Sequence, residues 1–288
     1  MRRILSSLNK SNTSMQALVD KLLTTRKWLV LTGAGVSASS GVPTYRDKNG
    51  VWQRKPPVTH QQFMQDYQSR QRFWSRNMVG WRFMSQAQPN HAHRALVALE
   101  HSNALTHIVT QNVDGLHQRA GSRRVLDLHG RVDSVSCMSC STVFTRNSIQ
   151  KWLDQKNPHF INISGHIGSD GDADIDDLDY SNLNIPDCEH CGGILKPDAV
   201  FFGASIPKAR LTEAEGHMQR AAGLLVIGSS LTVFSGYRFC LWAQQQGKPI
   251  VILNEGSTRA DQLATIKYSG PCAPVLQLWQ QEIERQLS

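Results

Sequence analysis

The sequence of 288 residues has no long hydrophobic segment, no internal repeat and no low-complexity tract. An ordinary membrane-crossing helix needs a run of ~18 apolar residues, so no membrane partner is expected. Repeats and biased tracts mark solenoid and fibrous proteins, and their absence favours an ordinary globular chain.

A basic run interleaved with aromatic residues is also missing. The formal net charge is +8, but the basic residues lie in short, scattered groups such as Arg70-Gln71-Arg72 and Arg123-Arg124. The charge permits attraction to acidic partners, whereas the scatter argues against nucleic acid as a direct ligand. Hydrophobic residues make up 40% of the chain, which allows a sizeable core in one large domain, alone or with a small module.

Residues 1–13 carry three Lys and Arg side chains, and no acidic residue precedes Asp20. Such a segment is either a transit peptide or a basic lead into a first helix at residues 15–25. A secretory signal is excluded because the segment lacks an apolar core. We expect a cytoplasmic location, or a mitochondrial one if the segment is an address.

Four of the six cysteines form two C-x-x-C pairs, Cys137 with Cys140 and Cys188 with Cys191. Each pair can span one edge of a tetrahedron, which suits one structural zinc ion with four sulfur ligands and no open position. A redox pair or two disulfides are the alternatives, but a redox pair usually occurs singly and disulfides need an oxidising compartment. The remaining two, Cys240 and Cys272, have apolar surroundings and are expected to be buried thiols.

Short apolar runs alternate with helical stretches, and turns follow the carboxyl ends of the runs. Strands are predicted at residues 27–31, 107–110, 224–227 and 249–253, and a helix at residues 90–100. This alternation predicts an α/β fold with a parallel sheet. The aromatic-rich residues 61–84 predict a small helical module.

Residues 33–38 follow the first predicted strand with the pattern Gly33-x-Gly35-x-x-Ala38, which fits a dinucleotide-binding turn. The glycines would let the backbone approach a pyrophosphate, and a helix is expected to begin there with its positive dipole end towards the phosphates. A dehydrogenase also places an acidic residue about 20 positions later to hold a ribose, but residues 52–57 contain none. Asn254 and Glu255 could bind the ribose instead.

A series of short motifs extends over residues 28–256. They are Gly33-Ala34-Gly35-Val36-Ser37, Gly41-Val42-Pro43-Thr44-Tyr45-Arg46, Thr110-Gln111-Asn112-Val113-Asp114-Gly115-Leu116-His117, Leu128-His129-Gly130, Lys196-Pro197-Asp198-Ala199-Val200-Phe201-Phe202-Gly203 and Gly228-Ser229-Ser230-Leu231. With the cysteine pairs, they resemble the sirtuins, a family of NAD-dependent protein-lysine deacylases. Asn90-x-x-His93, residues 235–239 and the long acidic insert between the two cysteine pairs are similar to class II, the branch of the mitochondrial lipoamidase/ADP-ribosyltransferase and its bacterial relatives.

The resemblance implies a Rossmann-like, NAD-binding domain made of residues 14–50, 85–132 and 195–288. It also implies a helical module at 51–84 and a zinc-binding module at 133–194. NAD and the acylated lysine of a protein substrate would meet in the cleft between them. Nicotinamide would leave the ribose, the acyl oxygen would attack the freed carbon to give an imidate, and water would complete release of lysine and O-acyl-ADP-ribose.

Three polar residues carry the catalytic roles that the resemblance implies. His129 would be the general base towards a ribose hydroxyl, since imidazole titrates near neutral pH. Asn112 would position the ribose or a water through its amide, and Asp114 would accept from the nicotinamide carboxamide. Asn112 and Asp114 could otherwise be turn-forming residues after a strand.

The same resemblance implies the cofactor contacts. Tyr45 would cover the scissile bond and exclude water, or pack as an ordinary aromatic, and Arg46 would hold a phosphate or the mobile loop expected at residues 41–55. Gln111 would hold ribose hydroxyls, and Ser229 and Ser230 would bind phosphate. The remaining expected cofactor contacts are Gly33, Ala34, Gly35, Ser37, Gly228 and Cys272.

The substrate peptide is expected to add as a strand along residues 233–237. Expected substrate contacts are Val200, Phe201, Phe202, Gly203, Val233, Phe234, Ser235 and Gly236. In the branch that removes succinyl groups, a Tyr-x-x-Arg pair neutralises the acyl carboxylate. The corresponding position in this sequence is expected at Val79-Gly80-Trp81-Arg82. Since Arg82 is present and the tyrosine is absent, we predict weak desuccinylase activity and a pocket that tolerates larger or less charged acyl groups.

Two other functions remain open. ADP-ribose could be transferred to a protein at the same site, or the chain could be a zinc-stabilised binding protein without catalysis. The intact His129, Asn112 and Asp114 argue against the second. No motif points to a particular oligomeric state.

Overall fold

The computed structural model of the protein describes residues 15–43, 57–163, 165–167, 173–175 and 179–287. In chain order its elements are α1 (residues 15–24), β1 (Trp28–Thr32), α2 (His60–Gln65), α3 (Tyr67–Met84), α4 (His91–His101), β2 (Leu105–Thr110), α5 (Leu116–Ala120), β3 (Val125–Asp127), β4 (Ser134–Cys137), β5 (Val143–Thr145), α6 (Arg146–Lys156), β6 (His166–Ile167), β7 (Ala173–Asp174), β8 (Leu195–Pro197), α7 (Lys208–Arg220), β9 (Gly223–Ile227), α8 (Phe234–Gln245), β10 (Ile250–Leu253), β11 (Ile266–Tyr268) and α9 (Cys272–Leu287). None of these helices has the length and hydropathy that a membrane crossing requires.

Six strands form one parallel sheet in the order β11-β10-β9-β1-β2-β3. Strands β1, β9 and β10 are buried along their whole length, as expected where helices cover both faces of a sheet. The predicted α/β fold with a parallel sheet is therefore confirmed. The order reverses between β1 and β9, and ligands of such sheets bind at the reversal, beyond the carboxyl ends of the strands.

Helices pack on both faces of this sheet. One face contacts α1, α4 and α9 through buried residues such as Leu22, Leu96 and Trp279. The other face contacts α7 and α8 through Met218, Phe239 and Cys240. Cys240 is fully buried, as predicted, and burial raises the pKa of its thiol to about 12.

A smaller unit combines helices α2, α3 and α6 with an antiparallel sheet in the order β5-β4-β8. Phe63, Trp74 and Met78 of the helices share one hydrophobic cluster with Val135 and Leu195 of the sheet. The helical and cysteine-bearing segments therefore have a common core. The residue boundaries given above for the modules stay predictions.

Arg146, at the start of α6, connects the parts of this smaller unit. It is fully buried, and its guanidinium carbon lies 5.4 Å from the ring centre of Trp74 and 5.3 Å from that of Trp81. Its Nε donates to Asn77 Oδ1 at 2.9 Å. A buried cation is costly unless it is stacked or hydrogen-bonded. Arg146 meets both conditions, and its hydrogen bond holds the Asn77 amide in one orientation.

One local prediction needs correction. A helix does not begin at the first glycine turn, since two 3₁₀ turns, Ala34–Val36 and Ala38–Ser40, occupy this segment. Such short turns align few peptide dipoles, so the expected helix dipole is missing there. The helical module predicted from residues 61–84 consists of α2 and α3, and the carboxylate of Asp66, which lies between them, caps α3.

Candidate active site

A cavity of about 670 Å³ lies at the carboxyl edge of the parallel sheet and extends to the smaller unit. Residues one or two positions after five of the strands line it, namely Gly33 (β1), Gln111 (β2), His129 (β3), Ser229 (β9) and Asn254 (β10). The cavity thus occupies the place where the strand order reverses. Its volume falls in the range of small-molecule and cofactor sites.

Gly33 and Gly35 bring the backbone after β1 against the backbone after β9. Gly33 N donates to Ile227 O at 3.0 Å, and Gly35 N donates to Gly228 O at 2.9 Å. A Cβ at Gly33 would lie 2.7 Å from Gly228 O, and a Cβ at Gly35 would lie 2.8 Å from Gly228 Cα. These two N–H groups are therefore engaged within the protein. The glycines therefore serve the close contact between the two loops, and all three of Gly33, Gly35 and Gly228 line the cavity.

The turn that contains His129 holds this side chain at the cavity. Gly130 has a φ of +74°, and a Cβ there would overlap Asp198 O, so glycine is required. Val200 N donates to His129 O at 2.7 Å from the neighbouring segment. His129 Nδ1 lies 2.9 Å from Gln111 O. Because a carbonyl oxygen only accepts, Nδ1 carries the proton and Nε2 holds the lone pair that a general base needs.

Opposing effects set the pKa of His129. Burial lowers this pKa because the protein solvates an imidazolium poorly, and the hydrogen bond to Gln111 O raises it. The charge of Arg210 on α7 lowers it further. The pKa of His129 lies below the ordinary value, so the imidazole is neutral at pH 7.

Ser37 connects the other two predicted catalytic side chains. Its hydroxyl donates to Asp114 Oδ2 at 2.7 Å, and Asn112 Nδ2 donates to Ser37 Oγ at 3.0 Å. Burial raises the pKa of Asp114, whereas hydrogen bonds from Leu116 N and Ser37 act in the opposite direction. Asn112 lines the cavity, and Ser37 and Asp114 form the layer behind it.

The side chain of Gln111 joins the ends of three strands. Its Nε2 donates to Ser229 Oγ at 2.8 Å and to Thr32 O at 3.3 Å. Both Gln111 and Ser229 line the cavity, so the hydrogen bond fixes the position of the Ser229 hydroxyl in its wall. A contact of Gln111 with ribose hydroxyls stays a prediction.

Asn254, Glu255 and Cys272 line the end of the cavity beyond β10, and Ala34 and Ser230 line it as well. Glu255 is exposed, so its carboxylate is available to ribose hydroxyls. Cys272 is half-buried rather than buried as predicted, and burial raises the pKa of its thiol to about 11. Glycine turns at the strand ends, the hydroxyls of Ser229 and Ser230 and the carboxylate of Glu255 line one cavity, and this combination fits a dinucleotide.

The residues predicted to line an acyl pocket lie elsewhere. Val79 packs against Ile175, and Arg82 contacts Asp154 and the carbonyl oxygen of Ile161 on the other side of α3. Neither side chain is part of the cavity wall. The assignment of Val79 and Arg82 to the acyl pocket is therefore wrong, because α3 turns a different face to the cleft.

Phe73 and Asn77 are the residues of α3 that line the cavity. They are four positions apart and so share one face of the helix. Val58 and Phe201 line the cavity beside them. Arg76, three residues after Phe73, is buried but does not line the cavity.

Residues 233–237 do not offer a free strand edge. Helix α8 begins at Phe234 with Val233 as its N-cap, and the N–H groups of Gly236 and Tyr237 donate to Val233 O. The predicted strand addition along residues 233–237 is therefore wrong, since these N–H groups already serve a helix. The expected substrate contacts that do line the cavity are Val200, Phe201, Phe202, Gly203, Val233 and Ser235, whereas Phe234 and Gly236 do not.

Arg238 lines the cavity and was not expected there. It follows Ser235 by three residues in α8, a helical spacing that could have pointed to it. The four-residue spacing of Phe73 and Asn77 is the corresponding signal in α3. Tyr45 and Arg46 lie outside the described residues.

The four paired cysteines converge beside the antiparallel sheet. The Sγ atoms of Cys137, Cys140, Cys188 and Cys191 all lie within 4.8 Å of one another. Cys137 Sγ is 3.5 Å from Cys191 Sγ, and Cys140 Sγ is 3.7 Å from Cys188 Sγ. Tetrahedral zinc, with Zn–S bonds of about 2.3 Å, places sulfurs about 3.8 Å apart, whereas a disulfide needs about 2.05 Å. The donor set therefore fits one structural zinc ion with no open position.

Comparison with known proteins agrees with this geometry. Residues 33–235 match the sequence model of the Sir2 family. A protein of Xanthomonas axonopodis pv. citri (strain 306) named NAD-dependent protein deacetylase is 49% identical over 251 residues, which are 87% of this chain and 86% of that protein. A protein of Bordetella bronchiseptica with the same name is 47% identical over 264 residues, 92% of this chain and 96% of that protein.

Solved structures resemble the fold over nearly its whole length. A Sir2 homologue–NAD complex has a TM-score of 0.73 and 30% identity, and covers 95% of each chain. A Sir2–p53 peptide–NAD⁺ complex has a TM-score of 0.69 and 31% identity, and covers 95% of this chain and 99% of that one.

Proposed function

The chain belongs to the Sir2 family, and from this premise we propose that it is an NAD-dependent protein-lysine deacylase that works in the cleft around His129. It transfers an acyl group from a lysine of a protein substrate to ADP-ribose and releases nicotinamide. The orientation of His129 carries the proposal, because its basic Nε2 is the ring nitrogen not bound to Gln111 O and the residue lines the cavity beside Asn112.

NAD is consumed as a second substrate and supplies the ribose carbon that accepts the acyl oxygen. The neutral His129 takes up the proton that a ribose hydroxyl loses, which its lowered pKa permits at pH 7. The Asn112 amide orients the polar groups of the substrates, and Ser37 holds that amide in place.

The proposal is tested with NAD and an acetyl-lysine peptide, with nicotinamide and O-acyl-ADP-ribose measured by mass spectrometry. We expect His129→Ala to lower turnover by at least 100-fold, the usual contribution of a positioned general base. His101→Ala is the matched control, since His101 is exposed at the end of α4. Equal turnover in His129→Ala and the unmutated protein contradicts the mechanism, and ADP-ribosylated protein as the main product supports the transferase instead.

We also propose that the pocket prefers uncharged acyl groups. Four buried residues that line it are Val58, Phe73, Asn77 and Phe201, and none of the four bears a charge. Burying an acyl carboxylate against such a wall costs free energy unless a cation pairs with it. Phe73 and Phe201 also lack a hydroxyl that could bind the carboxylate.

A panel of acyl-lysine peptides tests the preference. We expect kcat/KM for acetyl and longer uncharged acyl groups to exceed kcat/KM for succinyl by tenfold or more, which is about 1.4 kcal/mol in transition-state stabilisation. A succinyl peptide that is the best substrate by more than tenfold contradicts the preference but leaves the deacylase proposal intact.

The protein substrate would bind at the mouth of the cavity. Phe202 and Val233 both line the cavity and are 38% and 44% exposed. Since α8 begins at Phe234, the peptide backbone can pair only with the chain before it. We therefore place the peptide between residues 202–204 and 231–233.

A further inference from the structure

Ser235 contacts Nε2 of His129, the atom that acts as the base in the proposed mechanism. Its Oγ lies 2.8 Å from His129 Nε2, although the two residues are 106 positions apart in the chain. Both residues line the cavity. The contact therefore lies on the surface that faces the substrates.

The direction of this hydrogen bond follows from the partner of the other ring nitrogen, Nδ1. Gln111 O accepts from Nδ1, so the neutral ring has its lone pair on Nε2, and the Ser235 hydroxyl must donate to it. A neutral imidazole nitrogen has a single lone pair in the ring plane. With Ser235 bound, a substrate hydroxyl has no direct access to the base.

The backbone around Ser235 keeps it in this place. Ser235 is the second residue of α8, and Gly236 packs directly on the Gln111 side chain, where an added Cβ would lie 2.5 Å from Gln111 Oε1. Gln111 thus fixes His129 through its carbonyl oxygen and the first turn of α8 through its side chain. The hydroxyl and the ring are positioned by the same residue.

We propose that Ser235 is a catalytic proton relay between the ribose hydroxyl of the substrate and His129. The ribose O–H bond breaks as its proton passes to Ser235 Oγ, and the Ser235 hydroxyl gives its own proton to His129 Nε2. Ser235 ends as a neutral hydroxyl, His129 becomes an imidazolium, and the ribose oxygen is left with the electron pair that attacks the acyl carbon. This role rests on the proposed deacylase function.

Two variants separate a relay from a substrate contact. Ser235→Ala removes the hydroxyl, and Ser235→Thr keeps it. We expect Ser235→Ala to lower kcat by about 10-fold to 100-fold with the KM for the peptide within about twofold, because a water replaces a relay only in part. Ser235→Thr should restore kcat to within about threefold of the unmutated protein.

A kcat that is unchanged or higher in Ser235→Ala overturns the relay, since it shows that a free Nε2 works as well. A rise in KM alone also overturns it and assigns Ser235 to peptide binding.

The hydrogen bond itself is tested without activity. Nitrogen-15 NMR of the unmutated, NAD-free protein at pH 8, with the His129 signals identified by comparison with His129→Gln, reports which ring nitrogen carries the proton. The proposal requires the proton on Nδ1 and an acceptor Nε2, and a proton on Nε2 overturns it even if Ser235→Ala does not fold. A correct tautomer in a protein without deacylase activity contradicts the proposed function rather than the contact.

Discussion

Acid should destabilise this protein through two buried histidines outside the cavity wall. His93 on α4 and His117 on α5 are 0% and 1% exposed, and their ring centres are 4.9 Å apart. Burial lowers the pKa of His93 to about 4 and the pKa of His117 to about 3. Both rings are therefore neutral in the folded protein at pH 5, because an imidazolium is poorly solvated there.

The size of this loss of stability follows from the difference in histidine pKa between the folded and the unfolded state. In the unfolded chain a histidine binds a proton near pH 6.5. Between that pH and the lowered pKa, the unfolded state binds more protons than the folded state, so stability falls as the pH is lowered. One pKa unit corresponds to about 1.4 kcal/mol, so each histidine removes about 2 kcal/mol between pH 7.5 and pH 5. The pair removes about 4 kcal/mol, a large part of the 5–15 kcal/mol that is typical of folded proteins.

Urea unfolding at pH 7.5 and at pH 5 measures this loss. His117→Gln should lose about 2 kcal/mol less between the two pH values than the unmutated protein does, whatever its stability at pH 7.5. The exposed His101→Ala should keep the full loss. Buried carboxyls such as Asp114 and Asp127, whose pKa is raised, act in the opposite direction but cancel in the comparison. An identical loss in His117→Gln and the unmutated protein refutes the reasoning.

Two further changes probe the zinc site and the start of α8. Cys140→Ser removes one of four converging sulfurs, so we expect the purified protein to lose its equivalent of zinc and to unfold at lower temperature. The control Cys272→Ser should retain the metal. Full zinc content in Cys140→Ser contradicts the four-sulfur site. Gly236→Ala places a Cβ against Gln111 and should lower kcat by about tenfold, because it displaces His129 from its hydrogen-bond partners. The control Gly216→Ala, in the interior of α7, should leave kcat unchanged and raise stability by up to about 1 kcal/mol. Equal kcat in the two glycine variants argues against that packing.

Local patterns in the sequence were sufficient for the fold class and the zinc ligands. Apolar runs at 27–31 and 224–227 predict buried parallel strands because both faces of such strands are covered, and β1 and β9 confirm this. Two C-x-x-C pairs predict a four-sulfur site because each spacing fits one edge of a tetrahedron, and the sulfurs converge. The motif positions of Gln111, Asn112 and His129 likewise predict residues that gather at one edge of the sheet.

Tertiary packing decided the features that depend on distant partners. Val79 lies six residues after Phe73 and so about 240° around α3, and only the cluster shared with the antiparallel sheet determines which of them faces the cleft. The contact between Ser235 and His129 joins segments whose spacing in the chain carries no signal. Local sequence encodes strands, turns and metal-binding pairs, because these depend on neighbouring residues. The rotation of a helix about its axis, and the partner of a ring nitrogen, are set by the whole packed core.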